Sequence, residues 1–181
     1  MQNSRFMQSG KSNIINRQRG ASLLEGIAYL GIAAIVILGA VSLLMGAFSS
    51  AQTNRSSEEV VSIRTGVKKL YMGQTAAYGK DSLNAQLVTA KVFPTTLAVA
   101  ADGAVTNTWN GPVVVNGVNS NFTISYADVP QDVCINMISG GNGWLSVKVN
   151  AATERTAFPI TPAAATADCS QQKNVIIWTA Q

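Results

Sequence analysis

The chain has 181 residues, enough for one domain and an attached element. Hydrophobic residues make up 47% and charged residues only 12%, whereas about 25% charged is usual for a soluble globular domain. The net charge is +4 and there is no histidine, which removes the commonest general base and the commonest metal ligand.

The positive charge has one source. Arg5, Lys11, Arg17 and Arg19 all precede Gly20, where no acid stands, and nine basic residues then face nine acidic ones. The basic balance therefore gives no argument for a nucleic-acid partner. It reads as the cytoplasmic flank of a membrane segment. Residues 1–20 are polar, have no hydrophobic period, and are expected to be disordered or removed.

Gly26 to Ser49 carries no charge. At about 1.5 Å per residue this stretch spans roughly 36 Å, enough for a hydrocarbon core of about 30 Å. No proline occurs from Met1 to Lys91, so nothing forces the helix to stop at the membrane face. Beyond Ser49 the chain turns polar but keeps a helical pattern. Val60, Ile63, Val67 and Leu70 follow steps of three and four and mark one apolar stripe, with Glu58, Glu59, Arg64, Lys68 and Lys69 mostly off it. Gly73 is a plausible stop. The reading is one helix from Ala21 to Met72, a membrane anchor whose distal half packs on its own domain.

From Gly73 onward the texture changes. Runs at Gly111–Gly117, Asn121–Ala127, Trp144–Asn150 and Asn174–Ala180 alternate or concentrate β-branched and aromatic residues, and turn formers bound each. Their short connections predict an antiparallel sheet. Two short helices fit between them, one opening near Pro130 and carrying Cys134, the other opening at Thr161 with Pro162 behind it. Cys134 and Cys169 both lie beyond the apolar segment; in an exported domain such a pair reads as a disulfide, the alternative being two buried thiols.

One residue resists this account. Glu25 is the single charge between Arg19 and Arg55, and a carboxylate in a lipid-facing helix costs about 3 kcal/mol at the bilayer centre and needs a partner. The apolar segment itself is expected to supply none. Cutting the chain after Gly20 would supply one, because the α-amino group of Ala21 then sits at the same end as Glu25. Opposite charges from neighbouring helices in a dry stack fix axial register, since a slip leaves both unpaired.

The stretch "RGASLLEGIAYLGIAAIVILG" resembles the type IV prepilin signature, in which a basic leader ends in glycine. The resemblance implies cleavage after Gly20 by a prepilin peptidase, methylation of the new N-terminus at Ala21, and an assembly role for Glu25. Ala21 is smaller than the Phe, Met, Leu or Trp usual at that position. The long leader and the tail "FPITPAAATADCSQQKNVIIWTAQ" are similar to the type IVb subclass, the bundle-forming and conjugative thin-pilus pilins. The fold implied is α+β: a long N-terminal helix on an antiparallel sheet head with short helices, and a Cys134–Cys169 disulfide bounding the region 134–169. The domains expected are a leader over 1–20, the helix over 21–72 with its membrane-spanning part at about 26–49, and a head over 73–181.

The function expected is that of a structural subunit without catalytic activity, cofactor, metal or nucleic-acid partner. It is the major subunit of a filament for adhesion, aggregation or conjugative contact. The subunit sits first in the inner membrane with its head in the periplasm, then in an extracellular pilus. The partners implied are further copies of the chain, the prepilin peptidase, an assembly ATPase with its inner-membrane platform, and an outer-membrane secretin. The alternatives are a minor pilin, a secretion pseudopilin, or a periplasmic binding domain released by signal-peptidase cleavage after Ala51. Other signals are weaker. Trp109, Trp144 and Trp178 read as packing residues, Gly140–Gly143 as a turn, and Asp128 with Asp132 as a poor calcium site.

Overall fold

The structure is a computed structural model, and it describes residues 22–73 and 78–181. The chain divides into two compact units between Ser42 and Leu43. Helix α1 runs Leu23–Leu70 and contributes to both. Within the first unit every described side chain on it from Leu23 to Val41 is exposed or nearly so. Leu23 is 84% exposed and Leu38 70%. Among the described residues α1 is the one helix long and apolar enough to cross a membrane.

In the second unit α1 acquires an inward face. Val60, Ile63 and Val67 are buried against the sheet, as the step of three and four requires. The stripe is shorter than predicted, because Leu70 at the helix end is 38% exposed. Glu59 departs from the expectation in the opposite sense. It lies beside Val60 and is buried, since the buried arc also takes in Thr53 and Ser56. Gly73 follows the helix with φ +84°, a left-handed stop that glycine adopts without penalty.

The head carries a four-stranded antiparallel sheet in the order β3-β4-β6-β5. The strands are β3 Val113–Val118, β4 Asn121–Pro130, β5 Ser146–Val149 and β6 Lys173–Ala180. Alternation puts Val113, Val115, Phe122, Ile124, Tyr126, Val147, Val149, Ile176 and Trp178 on the buried face. The register sets them in rows, with Ile124 opposite Val115 and Trp178, and Tyr126 opposite Val113 and Ile176. Three smaller elements were not predicted: helix α2 Asn84–Thr89 and the two-residue pair β1 Ala98–Val99 and β2 Val105–Thr106. Both sheet edges are covered. Tyr78 to Leu83 pairs along β3, and Arg155 exchanges two 2.8 Å backbone bonds with Val147 on β5, which removes the open edges that invite aggregation.

Helix α3 Gln131–Ser139 starts directly after Pro130, and α4 Pro162–Asp168 is capped by Thr161, whose hydroxyl accepts from the Ala164 N–H at 3.4 Å. Cys134 on α3 is bonded to Cys169 just after α4, with Cα atoms 6.0 Å apart. Closing a loop of this size restricts the unfolded chain and contributes about 4 kcal/mol on the chain-entropy account. Beside it the Arg155 guanidinium grips buried Asp168 with two bonds of 2.9 Å. That carboxylate holds the Arg155 ionisation above its ordinary value.

Candidate functional site

Gly20 and Ala21 lie outside the described residues. Glu25 sits in the first turn of α1, where the positive end of the helix dipole favours an acid. The expectation that the apolar segment offers it no partner is corrected by the structure: the Tyr29 phenol, one turn on, donates to Glu25 Oε1 at 3.4 Å. The spacing of four that brings the two together was present in the sequence.

Around this pair the helix surface is continuous hydrocarbon. Leu24, Ile27, Leu30, Ile32, Ile35 and Leu38 are all exposed. A patch of this extent on a monomer marks a surface made for lipid or for other chains. Gly26, Gly31 and Gly39 meet no atom where a side chain would begin. On the surface of this helix they are free to admit the close approach of another backbone.

In the second unit, four contacts that involve a charged side chain tie α1 to the head. The Glu59 carboxylate is 2% exposed; it accepts from Arg55 Nε at 3.3 Å and from the Tyr126 phenol at 3.5 Å. Arg55 also donates to the Thr96 carbonyl at 3.0 Å, so one guanidinium spans α1 and the loop before β1. Burial pushes the Tyr126 ionisation far above its ordinary value, and the charge of Glu59 and its hydrogen bond push it further. Arg64 lies 4.8 Å over the Trp144 ring and donates to the Gly143 carbonyl at 2.9 Å, which fixes the Gly140–Gly143 turn. Ser49 donates to Asp132 at the start of α3. The sequence pattern missed the Glu59 group because it assigned that side chain to the solvated face.

The tryptophans are packing residues. Trp144 and Trp178 are buried with ring centres 6.0 Å apart, and Trp109 is half-buried against the core. Asp128 and Asp132 are not brought into one site: Asp128 pairs with Lys173 at 3.4 Å, and Asp132 with Ser49. A cleft of about 500 Å3 between α1 and the α3–β5 connection is lined by Asn54, Ser57, Asn136, Asn142 and Trp144. No side chain in its lining is an acid or base, so it offers no proton-transfer chemistry.

A helix with an exposed hydrocarbon surface and a lone acid in its first turn, continuing into an antiparallel sheet head stapled by one disulfide, defines the type IV pilin class. Solved structures agree on the fold. A type IVb pilin from Salmonella typhi matches with TM-score 0.55 at 20% identity, over 68% of this chain and 94% of that one. TcpA, a type IV pilin from Vibrio cholerae El Tor biotype, matches with TM-score 0.52 at 10% identity, over 72% and 99%. The family model described as PilS N terminal matches residues 50–181, and the chain belongs to that family, among the type IVb pilins. One relative, the major structural subunit of bundle-forming pilus from Escherichia coli O127:H6 (strain E2348/69 / EPEC), is 26% identical over 179 residues, 87% of this chain and 92% of the relative. Its counterpart from Escherichia coli O111:H- is 29% identical over 117 residues, 64% of this chain and 60% of the relative.

Proposed function

We propose that this chain is the major subunit of a type IVb pilus, built by removal of residues 1–20 and stacking of α1 between copies. The observation that carries this reading is the exposed hydrocarbon surface of α1 with one carboxylate at its first turn. Two environments suit such a surface in succession, a bilayer and the interior of a filament. In the first, the segment at about 26–49 anchors the subunit in the inner membrane with the head, residues 73–181, in the periplasm. In the second, neighbouring helices replace lipid by van der Waals packing. The carboxylate of Glu25 then meets the α-amino group of Ala21 on a neighbour. That contact fixes the axial step, because a slipped subunit buries two unpaired charges.

The work is structural, and catalysis belongs to partners: a prepilin peptidase that cuts after Gly20 and methylates Ala21, an assembly ATPase with its inner-membrane platform, and an outer-membrane secretin. The heads form the filament surface, with the disulfide-bounded region 134–169 as a contact surface for adhesion, aggregation or conjugation. The relatives' names as major structural subunits support the reading of this chain as a pilus subunit.

The test is the N-terminus of the protein recovered from sheared filaments, read by intact-mass and peptide mass spectrometry. A chain beginning at Ala21 with one added methyl group, as the dominant species, is the expected result. A chain beginning at Gln52 would make the apolar helix a discarded signal and end the filament reading. A trace subunit beside a more abundant pilin would make it a minor one.

A further inference from the structure

We infer that Tyr29 is a positioning residue for Glu25: its phenol holds the carboxylate in one orientation on the helix face while the subunit is still in lipid. This rests on the reading of Glu25 as the residue that sets filament register. The donor and acceptor are matched in number and place. From Leu23 to Val41, Tyr29 is the only side chain with an O–H or N–H to give, and Glu25 the only one with a charge to satisfy. They stand four residues apart, on one face, with the phenol oxygen 3.4 Å from Oε1.

Lipid makes the match consequential. Helix N–H groups beyond the first turn are used within the helix, and hydrocarbon offers no donor. Without Tyr29 the carboxylate is left to the free first-turn N–H groups, the Ser22 hydroxyl and the head-group region, and its rotamers spread among them. With Tyr29 the carboxylate lies along the helix side, already where a neighbouring subunit must find it. Ordering a long charged side chain in advance removes that entropy from the assembly step. A tyrosine near a span end also suits the interface belt, so the test separates the hydroxyl from the ring.

The experiment uses the full leader-cleaved chain, carboxyl-labelled with 13C at its glutamates and held unassembled in phosphatidylethanolamine–phosphatidylglycerol vesicles. The Glu25 carboxyl resonance is assigned by its loss in Glu25→Gln. The readout is the displacement of that resonance on exchange from H2O to D2O, which reports an exchangeable proton shared with the carboxylate. Wild type is expected to show the larger displacement and Tyr29→Phe a clearly smaller one, although Phe keeps the ring and its packing. In cells, sheared filament per membrane-inserted, leader-cleaved subunit is expected to fall about fivefold in Tyr29→Phe, and further in Glu25→Gln.

An unchanged isotope response and filament yield in Tyr29→Phe, with Glu25→Gln still defective, overturns the role of Tyr29 and leaves that of Glu25 standing. Normal filaments from Glu25→Gln overturn both.

Discussion

Glu59 is the most deeply buried charge among the described residues. Its carboxylate is buried between a half-exposed Arg55 and the Tyr126 phenol. Because Arg55 is 48% exposed, its charge stays partly hydrated, and breaking the pair costs less than the 3–5 kcal/mol typical when both ions are buried. Removing the phenolic O–H leaves the carboxylate one donor short. We therefore expect Tyr126→Phe to lower the stability of the head by about 1 kcal/mol at neutral pH, read from the urea midpoint. The pH dependence has a definite sign. Tyr126 ionises well above its ordinary value of 10.0 in the fold, so above about pH 10 the folded state holds a proton that the unfolded chain releases. The stability from this group is full below about pH 10 and is lost as pH rises beyond it. Wild type should thus lose its advantage over Tyr126→Phe between pH 9 and 11, measured as the difference between the two unfolding curves. A constant gap across that range would mean that burial of the phenol is not linked to its proton.

Among the elements, the cover on β3 makes a strict demand on sequence. A Cβ at Gly117 would stand 2.2 Å from the Tyr78 carbonyl oxygen, a backbone atom held by its neighbours' pairing with Asn119. At Gly66 on α1 the obstacle is Val92 Cγ1 at 2.4 Å, a side-chain methyl that can turn away. Overpacking against backbone sits at the upper end of the usual range. Gly117→Ala is expected to cost about 3 kcal/mol and Gly66→Ala about 1 kcal/mol, with thermal unfolding of the disulfide-intact chain as the measure. Equal losses would show that the edge cover yields as readily as a methyl. Much of this architecture was legible in the residues. The runs at 111–117, 121–127, 144–150 and 174–180 became β3, β4, β5 and β6 because turn formers bound each alternating stretch. The sequence hid the end of β4, where Asp128 at φ 57° inserts an irregularity and breaks the alternation before Val129 resumes pairing. It also hid α2, six residues long with a single buried side chain, Leu87, which is too short to show a period. Glu59 was misplaced because helix periodicity locates the centre of a buried stripe better than its border. Tyr29 was overlooked as a donor because it was counted as apolar length.

At the scale of the whole molecule, the two units make opposite demands on solvent. The unit Leu43–Gln181 has a core of its own, from Val60 and Ile63 through the sheet to Trp178, and a disulfide across its last third. The first unit has no core among its described residues and exposes its hydrocarbon side chains instead. Their separation predicts what happens when the apolar part is removed. A chain beginning at Ser50 loses none of the core residues, and keeps Glu59, Arg64 and both cysteines. It is expected to be a soluble monomer by light scattering, with a melting temperature within a few degrees of the head in the full chain. The full chain without its leader is expected to need detergent, and on detergent removal to associate through α1. Each buried CH2 contributes about 0.8 kcal/mol, so the exposed leucines, isoleucines and valines of α1 far outweigh the entropy of association in driving copies together. On the proposed role of Glu25, registers that leave it unpaired are penalised and the ways of packing are fewer. If the truncated chain aggregates as readily as the full one, the head itself presents a sticky surface, and association cannot be assigned to the helix.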